Sequence, residues 1–123
     1  MGGIEWVVDA SGCSPRSLRD IQLARNLFAE IVRALRLHPL AEAQWHQFPG
    51  TGGITGLCVL AESHLACHTF PEHGSICLNL FCCVPRPEWN FQEVLTRLFG
   101  ANQVAVRQIA RMYEQPFRQA ASD

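Results

Sequence analysis

Two apolar runs of strand length, residues 54–61 and residues 75–84, constrain the fold more than any other feature of the sequence. Both are much shorter than the run of about twenty apolar residues that a bilayer-spanning helix needs. The second run alternates with the period of two that places neighbouring side chains on opposite faces of a strand. One predicted face carries Cys77, Asn79, Phe81 and Cys83, and the other carries Ile76, Leu78, Leu80 and Cys82. We therefore predict two strands within one sheet.

The other elements alternate between strands and helices. Ser14 followed by Pro15 is a typical helix start, and apolar residues at helical spacing continue the helix to about residue 37, where His38-Pro39 ends it. Asn90 begins a capping-box pattern that predicts a second helix, which ends at Gly100. Further strands are predicted at residues 4–9, 41–48 and 103–109. This order predicts a single α+β domain, a two-layer sandwich of a mainly antiparallel sheet with two helices packed on one face.

Composition argues against several classes of function. The chain has 123 residues, a net charge of -1 and no basic run, which argues against nucleic acid or an anionic membrane as the main partner. The N-terminus lacks the basic start and apolar core of a signal peptide, so we expect a cytoplasmic protein. All 10 basic residues are arginine. Without lysine, the chain cannot form the lysine Schiff base on which pyridoxal phosphate enzymes depend.

The segment between the two apolar runs, "AESHLACHTFPEHG" at residues 61–74, is rich in reactive side chains. Histidines beside strands are commonly structural, and "FPEHG" has the composition of an ordinary turn. A metal site is a second interpretation, with suitable ligand types at His64, Cys67, His68, His73, Cys82 and Cys83. The spacing matches no closed zinc pattern, and on a strand His64 and His68 lie too far apart to share one ion. A cysteine hydrolase, with Cys83 as nucleophile and His68 as base, is a third interpretation.

A fourth interpretation comes from resemblance to a known family. The segment, followed by "CLNLFCC", resembles the short prokaryotic S-adenosylmethionine decarboxylases, which are pyruvoyl-dependent enzymes of polyamine biosynthesis. The resemblance runs from "EWVVDASGC" through "WHQFPGTGGITG" to the helix after "PRPEW", and it is most specific in residues 53–83. Its signature combines Glu-Ser-His, His-Thr-aromatic-Pro-Glu and a downstream Phe-x-Cys. It implies a decarboxylase of S-adenosylmethionine that produces the aminopropyl donor for spermidine.

The resemblance also implies that the chain cleaves itself between Glu62 and Ser63. The products are a β chain of residues 1–62 and an α chain of residues 63–123, both within the single domain. Ser63 is the precursor of a covalent pyruvoyl group, whose ketone forms the Schiff base with the substrate amine. The expected cofactor is therefore this pyruvoyl group, with neither pyridoxal phosphate nor a metal ion.

Three further residues acquire processing or catalytic roles by the same resemblance. His68 is the base in the elimination step of processing, and Thr55 supports processing by hydrogen bonding to the reacting carbonyl. Cys83 is the proton donor to the α-carbon of the substrate, a role that suits a thiol because its ordinary pKa of about 8.5 is near neutrality. Cys82, on the opposite predicted face, is interpreted as a packing residue.

Substrate contacts are implied at Phe48, Phe70 and Glu72. In the family, an aromatic residue from each of two subunits sandwiches the adenine, and a glutamate binds the ribose hydroxyls. Such a site lies between subunits, so we expect a homodimer or a higher assembly of cleaved protomers.

The sequence departs from the family pattern at three positions. Phe70 replaces a common tryptophan, His73 a common tyrosine and Asn79 a common aspartate. Loss of the aspartate removes a negative charge from the predicted face that carries Cys83. Two alternatives therefore stay open: the same chemistry acting on arginine or ornithine, and a non-catalytic metal-binding or regulatory relative that keeps the fold.

Overall fold

The computed structural model describes residues 2–113, and within them the chain forms one antiparallel sheet. Its strands are β1 (Gly3–Ser11), β2 (Gln44–Gln47), β3 (Ile54–Leu60), β4 (Ser63–Phe70), β5 (Ser75–Cys82) and β6 (Gln103–Arg111). Their spatial order is β2-β3-β4-β5-β1-β6, and every neighbouring pair is antiparallel. The predicted α+β sandwich is confirmed.

The helices cover one face of this sheet. They are α1 (Pro15–Leu18), α2 (Ile21–Ala34) and α3 (Phe91–Phe99), and a single 3-10 turn, Pro71–His73, joins β4 to β5. Their apolar sides join the buried strand residues in one core, which includes Leu18, Leu27, Ile31, Phe91, Phe99, Trp6, Leu65, Leu78 and Leu80. The opposite face of the sheet carries no helix in residues 2–113, and we call it the open face.

The first predicted helix is in fact two helices. The side chain of Asp20 accepts a hydrogen bond from the backbone N–H of Gln22 at 2.9 Å, so a new helix begins at Ile21. Apolar spacing alone hid this break, because Leu18 of α1 and Ile21 and Ala24 of α2 follow one another at intervals of three residues across it. The strand predicted at residues 41–48 is also shorter and spans only Gln44–Gln47.

The predicted alternation of β5 is confirmed by burial. Ile76, Leu78, Leu80 and Cys82 are buried under the helices, whereas Cys77, Asn79 and Phe81 are half-buried on the open face. The register continues this face across the sheet, where Asn79 lies opposite Ala66 of β4 and Val7 of β1. In the described part of the chain, no helix is long and apolar enough to cross a membrane.

Candidate active site

The Glu62–Ser63 peptide bond lies at a tight turn between β3 and β4. Leu60 pairs with Ser63, so the turn consists of Ala61 and Glu62 alone. Ser63 has a φ of +147°, a backbone conformation that residues with a side chain rarely adopt. Strained backbone of this kind persists only where surrounding contacts enforce it. The predicted cleavage point therefore lies at the start of β4, where the backbone of Ser63 is strained.

The carbonyl group of Glu62 has a dedicated hydrogen-bond donor. Its oxygen accepts a hydrogen bond from the backbone N–H of Cys83 at 2.7 Å. Cys83 directly follows β5, and Tyr113 donates a hydrogen bond from its hydroxyl to the Cys83 carbonyl oxygen at 2.7 Å. An N–H aimed at a carbonyl oxygen stabilises the negative charge that develops when the carbonyl carbon is attacked.

The side chain of Glu62 is also fixed. It is only 6% exposed, and its Oε1 accepts a hydrogen bond from the backbone N–H of His38 at 3.0 Å. Its Oε2 contacts Nδ1 of His38 and Nη2 of Arg86, the latter at 3.2 Å. Burial opposes ionisation of this carboxyl, but the hydrogen bonds from His38 outweigh burial and lower its pKa. Glu62 is therefore held as a carboxylate.

The adjacent cysteines have different surroundings. Cys82 is buried in the core, and burial raises the pKa of its thiol to about 11. Cys83, directly after β5, is half-buried. The predicted packing role of Cys82 agrees with its full burial, and Cys83 is the accessible thiol of the pair.

A second group of predicted residues surrounds a cavity of about 480 Å³ at the other end of β4. The cavity is lined by Phe48, Phe70, Glu72, Thr55 and His68, together with residues of the loop before β3. Thr55 Oγ1 and His68 Nδ1 lie 3.1 Å apart, in hydrogen-bond contact across paired strands. We call this group the aromatic cavity. It contains five of the residues singled out by the sequence.

The two groups are far apart within one chain. His68 follows Ser63 by five residues on the same strand, and at about 3.3 Å per residue this separation is about 16 Å. Thr55 is separated from the Glu62 turn in the same way along β3. One chain therefore brings Glu62, Ser63 and Cys83 together at one end of the hairpin, and Thr55 and His68 at the other.

Comparison with known proteins identifies the family. The family model described as S-adenosylmethionine decarboxylase matches residues 4–112. The chain belongs to the S-adenosylmethionine decarboxylase family. The predicted family is thus confirmed, and the enzyme interpretation is favoured over the metal-binding and hydrolase ones.

Individual relatives of this S-adenosylmethionine decarboxylase family member carry the same name. The S-adenosylmethionine decarboxylase proenzyme of Thermococcus gammatolerans is 30% identical over 115 residues, which cover 92% of this chain and 78% of the relative. The proenzyme of Acidithiobacillus ferrooxidans is 31% identical over 111 residues, covering 89% of this chain and 81% of the relative. The crystal structure of the adenosylmethionine decarboxylase from Aquifex aeolicus has a similar fold, with a TM-score of 0.75, 22% identity and coverage of 93% and 94% of the two chains.

In this S-adenosylmethionine decarboxylase family member, the open face between the two groups carries a polar network centred on Asn79. The Asn79 side chain donates to Glu5 Oε2 at 2.6 Å, and its Oδ1 lies 2.8 Å from Nε2 of His64. Arg111 donates to Glu5 Oε1 at 2.6 Å. The hydrogen bond from Asn79 is the main cause that lowers the pKa of Glu5, with Arg111 adding to it and burial opposing it. The Glu5 carboxylate thus gives the open face a negative charge beside Asn79.

Sequence reasoning missed Glu5, His38 and Arg86. His38 was interpreted only as the end of a helix, and nothing in the sequence connects it with Glu62, 24 residues later. Glu62 lies between two apolar runs, and a carboxylate buried there needs a partner. This could have prompted a search for a cationic residue. Among residues 2–113, no group of three or more histidine, cysteine or acidic side chains is arranged to hold a metal ion.

Proposed function

We propose that the chain is a self-cleaving, pyruvoyl-dependent decarboxylase of S-adenosylmethionine that makes the aminopropyl donor for spermidine. The observation that carries this proposal is the strained Ser63 at a tight turn, with the preceding carbonyl held by the Cys83 N–H in a chain of this family. The family and its relatives' names support the reaction, and the geometry of the turn supports the processing step.

Processing begins with an acyl shift at the turn. The Ser63 Oγ attacks the Glu62 carbonyl carbon, the C–N bond breaks, and the hydroxyl proton passes to the released amine. An amide thereby becomes an ester. The Cys83 N–H, 2.7 Å from the Glu62 oxygen, stabilises the negative charge on that oxygen in the tetrahedral intermediate. Strain at Ser63 raises the energy of the peptide relative to the ester and favours the shift.

Elimination completes the cleavage. A base removes the α-proton of Ser63, the Cβ–O bond breaks, and Glu62 leaves with a carboxylate at the new C-terminus. The dehydroalanine left behind tautomerises to an imine, and water replaces its nitrogen, releasing ammonia. One water enters and one ammonia leaves, so the atoms balance.

His68 and Thr55 are proposed to serve this chemistry from a second copy of the chain. Within one chain they lie about 16 Å from Ser63, too far for direct proton transfer. The open face, which carries His68, also exposes Leu57 and Val59, which are 42% and 52% exposed. A second copy packed on this face would cover them and bring one copy's His68–Thr55 pair to the other copy's turn. We therefore propose a homodimer or a higher assembly.

The aromatic cavity is proposed to bind the adenosine part of the substrate. Phe48 and Phe70 offer aromatic faces to adenine, and Glu72 offers a carboxylate to the ribose hydroxyls. Aromatic rings also attract a cation such as the sulfonium group. Replacement of tryptophan by Phe70 preserves a stacking surface. His73, an exposed residue of the 3-10 turn beside Glu72, does not line the cavity.

The active site of the cleaved enzyme is proposed to contain the pyruvoyl group and no metal ion. The chain has no lysine that could form a Schiff base in its place. The pyruvoyl ketone supplies the carbonyl that binds the substrate amine and accepts electrons when carbon dioxide leaves. Cys83 is placed beside the cleavage point and is the proposed proton donor. A cytoplasmic location and a small-molecule substrate, rather than nucleic acid or membrane, complete the proposal.

The intact mass of purified protein under denaturing conditions tests this proposal. Two fragments are expected: residues 1–62, and a second chain lighter by one ammonia than residues 63–123 and without a free amine. Ser63→Ala should give one uncleaved chain without decarboxylase activity, whereas Ser11→Ala, far along the first strand, should cleave normally. A wild-type chain that stays intact on long incubation would contradict self-cleavage. Assays with arginine and ornithine beside S-adenosylmethionine test the substrate.

A further inference from the structure

The residue before the proposed cleavage point is held by two parts of the chain that lie outside the hairpin. His38 contacts the Glu62 carboxylate through its backbone N–H and through Nδ1, and its carbonyl oxygen accepts from the N–H of Ala61 at 2.8 Å. Arg86 reaches the same carboxylate from the loop after β5. We call His38, Glu62 and Arg86 the turn clamp.

Arg86 also joins the turn clamp to the end of α2. Its Nε donates to the carbonyl oxygen of Leu35 at 2.7 Å, and its Nη2 approaches the carbonyl oxygen of Arg36 at 3.4 Å. These carbonyls belong to the C-terminus of α2, where the helix dipole favours a cation. A single guanidinium therefore contacts both the helix end and the residue before Ser63. Arg86 can therefore contact the carboxylate and the helix end together only when α2 is packed on the sheet.

The turn clamp restricts the residue whose carbonyl is to be attacked. Glu62 is fixed through its side chain by His38 and Arg86 and through its carbonyl oxygen by Cys83, while the next residue, Ser63, has the unfavourable φ. Without these contacts, a two-residue turn could rotate its peptides and relax Ser63 to an ordinary conformation. The contacts therefore maintain the geometry from which the serine attacks.

We propose that His38 and Arg86 are positioning residues for self-cleavage: by holding the Glu62 carboxylate they keep the Glu62–Ser63 bond strained, and they make cleavage depend on the packing of α2. This inference rests on the proposed self-cleavage. It assigns the clamp to processing of the precursor, whereas the aromatic cavity serves the substrate. The rate of cleavage should therefore respond to the clamp much more than turnover by the cleaved enzyme does.

The test measures cleavage of freshly synthesised precursor by intact mass over time. Arg86→Gln should slow cleavage about tenfold or more, because the charge-assisted hydrogen bond to the buried carboxylate is lost. His38→Ala should slow it about threefold to tenfold, since the backbone N–H of residue 38 still holds Oε1. His38→Asn, whose amide can donate near the position of Nδ1, should restore cleavage to within about twofold of the wild type. Rescue by asparagine is not expected if the imidazole acts only through bulk.

Three controls separate positioning from general destabilisation. Arg97→Gln removes a surface arginine that pairs with Glu30 and Glu93 on the helices, so it should cleave at the wild-type rate. Turnover, measured per pyruvoyl group after cleavage is complete, should fall far less in Arg86→Gln than the cleavage rate does. Melting temperatures of the same variants, each combined with Ser63→Ala, show how much folding stability changes.

The outcomes are distinct. Slow cleavage with near-normal turnover, rescued by His38→Asn, supports the turn clamp. Normal cleavage of both His38→Ala and Arg86→Gln overturns it, as does a parallel loss of cleavage, turnover and melting temperature. A wild-type chain that never cleaves overturns the proposed function itself, which the wild-type time course reveals before any variant is compared.

Discussion

The backbone N–H of Cys83 donates to the carbonyl oxygen of Glu62 at 2.7 Å, so the residue proposed to protonate the substrate also holds the bond proposed to be cut. The two contributions come from different atoms. The N–H proposed to act on the precursor belongs to the main chain and survives any substitution except proline, whereas the thiol is proposed to act only after cleavage. Substitutions at Cys83 should therefore separate processing from turnover.

Cys83→Ala should cleave close to the wild-type rate and lose turnover by about 100-fold, the usual contribution of a positioned acid. Cys82→Ala is the matched control, because its thiol lies in the core, where burial raises its pKa to about 11. It should cost about 1 kcal/mol of stability and leave turnover per cleaved chain near normal. Intact mass and a carbon dioxide release assay measure both. Normal turnover by Cys83→Ala would exclude the thiol as the proton donor.

Mixed assemblies should reveal whether His68 acts across subunits. A His68→Ala chain alone should cleave slowly, about 100-fold or more below the wild type. Co-expressed with a differently tagged Ser63→Ala chain, it should cleave rapidly, because the partner supplies the histidine that one chain places about 16 Å from its own Ser63. The mass of each tagged chain reports which one is cut. If mixing brings no recovery, the base does not come from a second copy.

Asn79→Asp should destabilise this chain. Asn79 donates to Glu5 at 2.6 Å, and aspartate would place two carboxylates at that distance. The expected loss is about 1.5–3 kcal/mol at pH 7, the value of a hydrogen bond to a charged group. Glu5→Gln combined with Asn79→Asp should recover most of it, because the glutamine amide can donate to the new aspartate.

Urea unfolding in the uncleavable Ser63→Ala background measures the free energy of unfolding of the Asn79→Asp and Glu5→Gln/Asn79→Asp variants. The pH dependence adds a check with a defined sign. The lowered pKa of Glu5 stabilises the parent above the ordinary glutamate pKa of about 4.3, and this contribution is lost as the pH falls through the lowered pKa. In Asn79→Asp the sign should invert, with stability rising as one carboxyl becomes protonated. Equal pH profiles would show that the network on the open face contributes little.

Glu62 should stabilise the precursor at neutral pH and lose this effect at acid pH. Burial alone would raise its pKa, but the hydrogen bonds from His38 lower it, so the ionised form is favoured by folding. Its contribution is complete above the ordinary glutamate pKa of about 4.3 and is lost as the pH falls through the lowered pKa. The stability difference between Ser63→Ala and Ser63→Ala/Glu62→Gln should therefore be largest near neutral pH and shrink below about pH 4. A difference that is constant with pH would mean that the charge is not involved.

Much of the fold could be predicted because short-range patterns determine it. The alternation of β5 and the cap at Asn90 each correspond to an observed element. Apolar spacing could not reveal the break at Asp20. An aspartate that caps a helix cannot be told from an exposed aspartate within a helix by its position between apolar residues. The end of β2 likewise depends on its pairing with β3, which local sequence does not show.

The sequence predicted which residues form the site but not how they are placed relative to one another. The family motif named Ser63, His68 and Cys83 together, yet the strand assignment of the same segment already implies about 3.3 Å per residue between Ser63 and His68. That distance separates Ser63 from His68 within one chain and is the reason for the proposal that a second copy supplies His68. The contacts of Glu62 with His38 and Arg86 depend on the packing of α2 against the hairpin, a long-range arrangement that no local pattern records.

The sheet order determines what happens to the two halves after a cut in the β3–β4 turn. Residues 1–62 contain β1, β2 and β3, whereas the remaining strands belong to the other half. In the order β2-β3-β4-β5-β1-β6, the halves meet at three seams, because β1 is inserted between β5 and β6. Strands of the two polypeptides therefore alternate within one sheet. They can part only if the sheet itself comes undone, so dissociation of the mature chains and unfolding of the domain become one event.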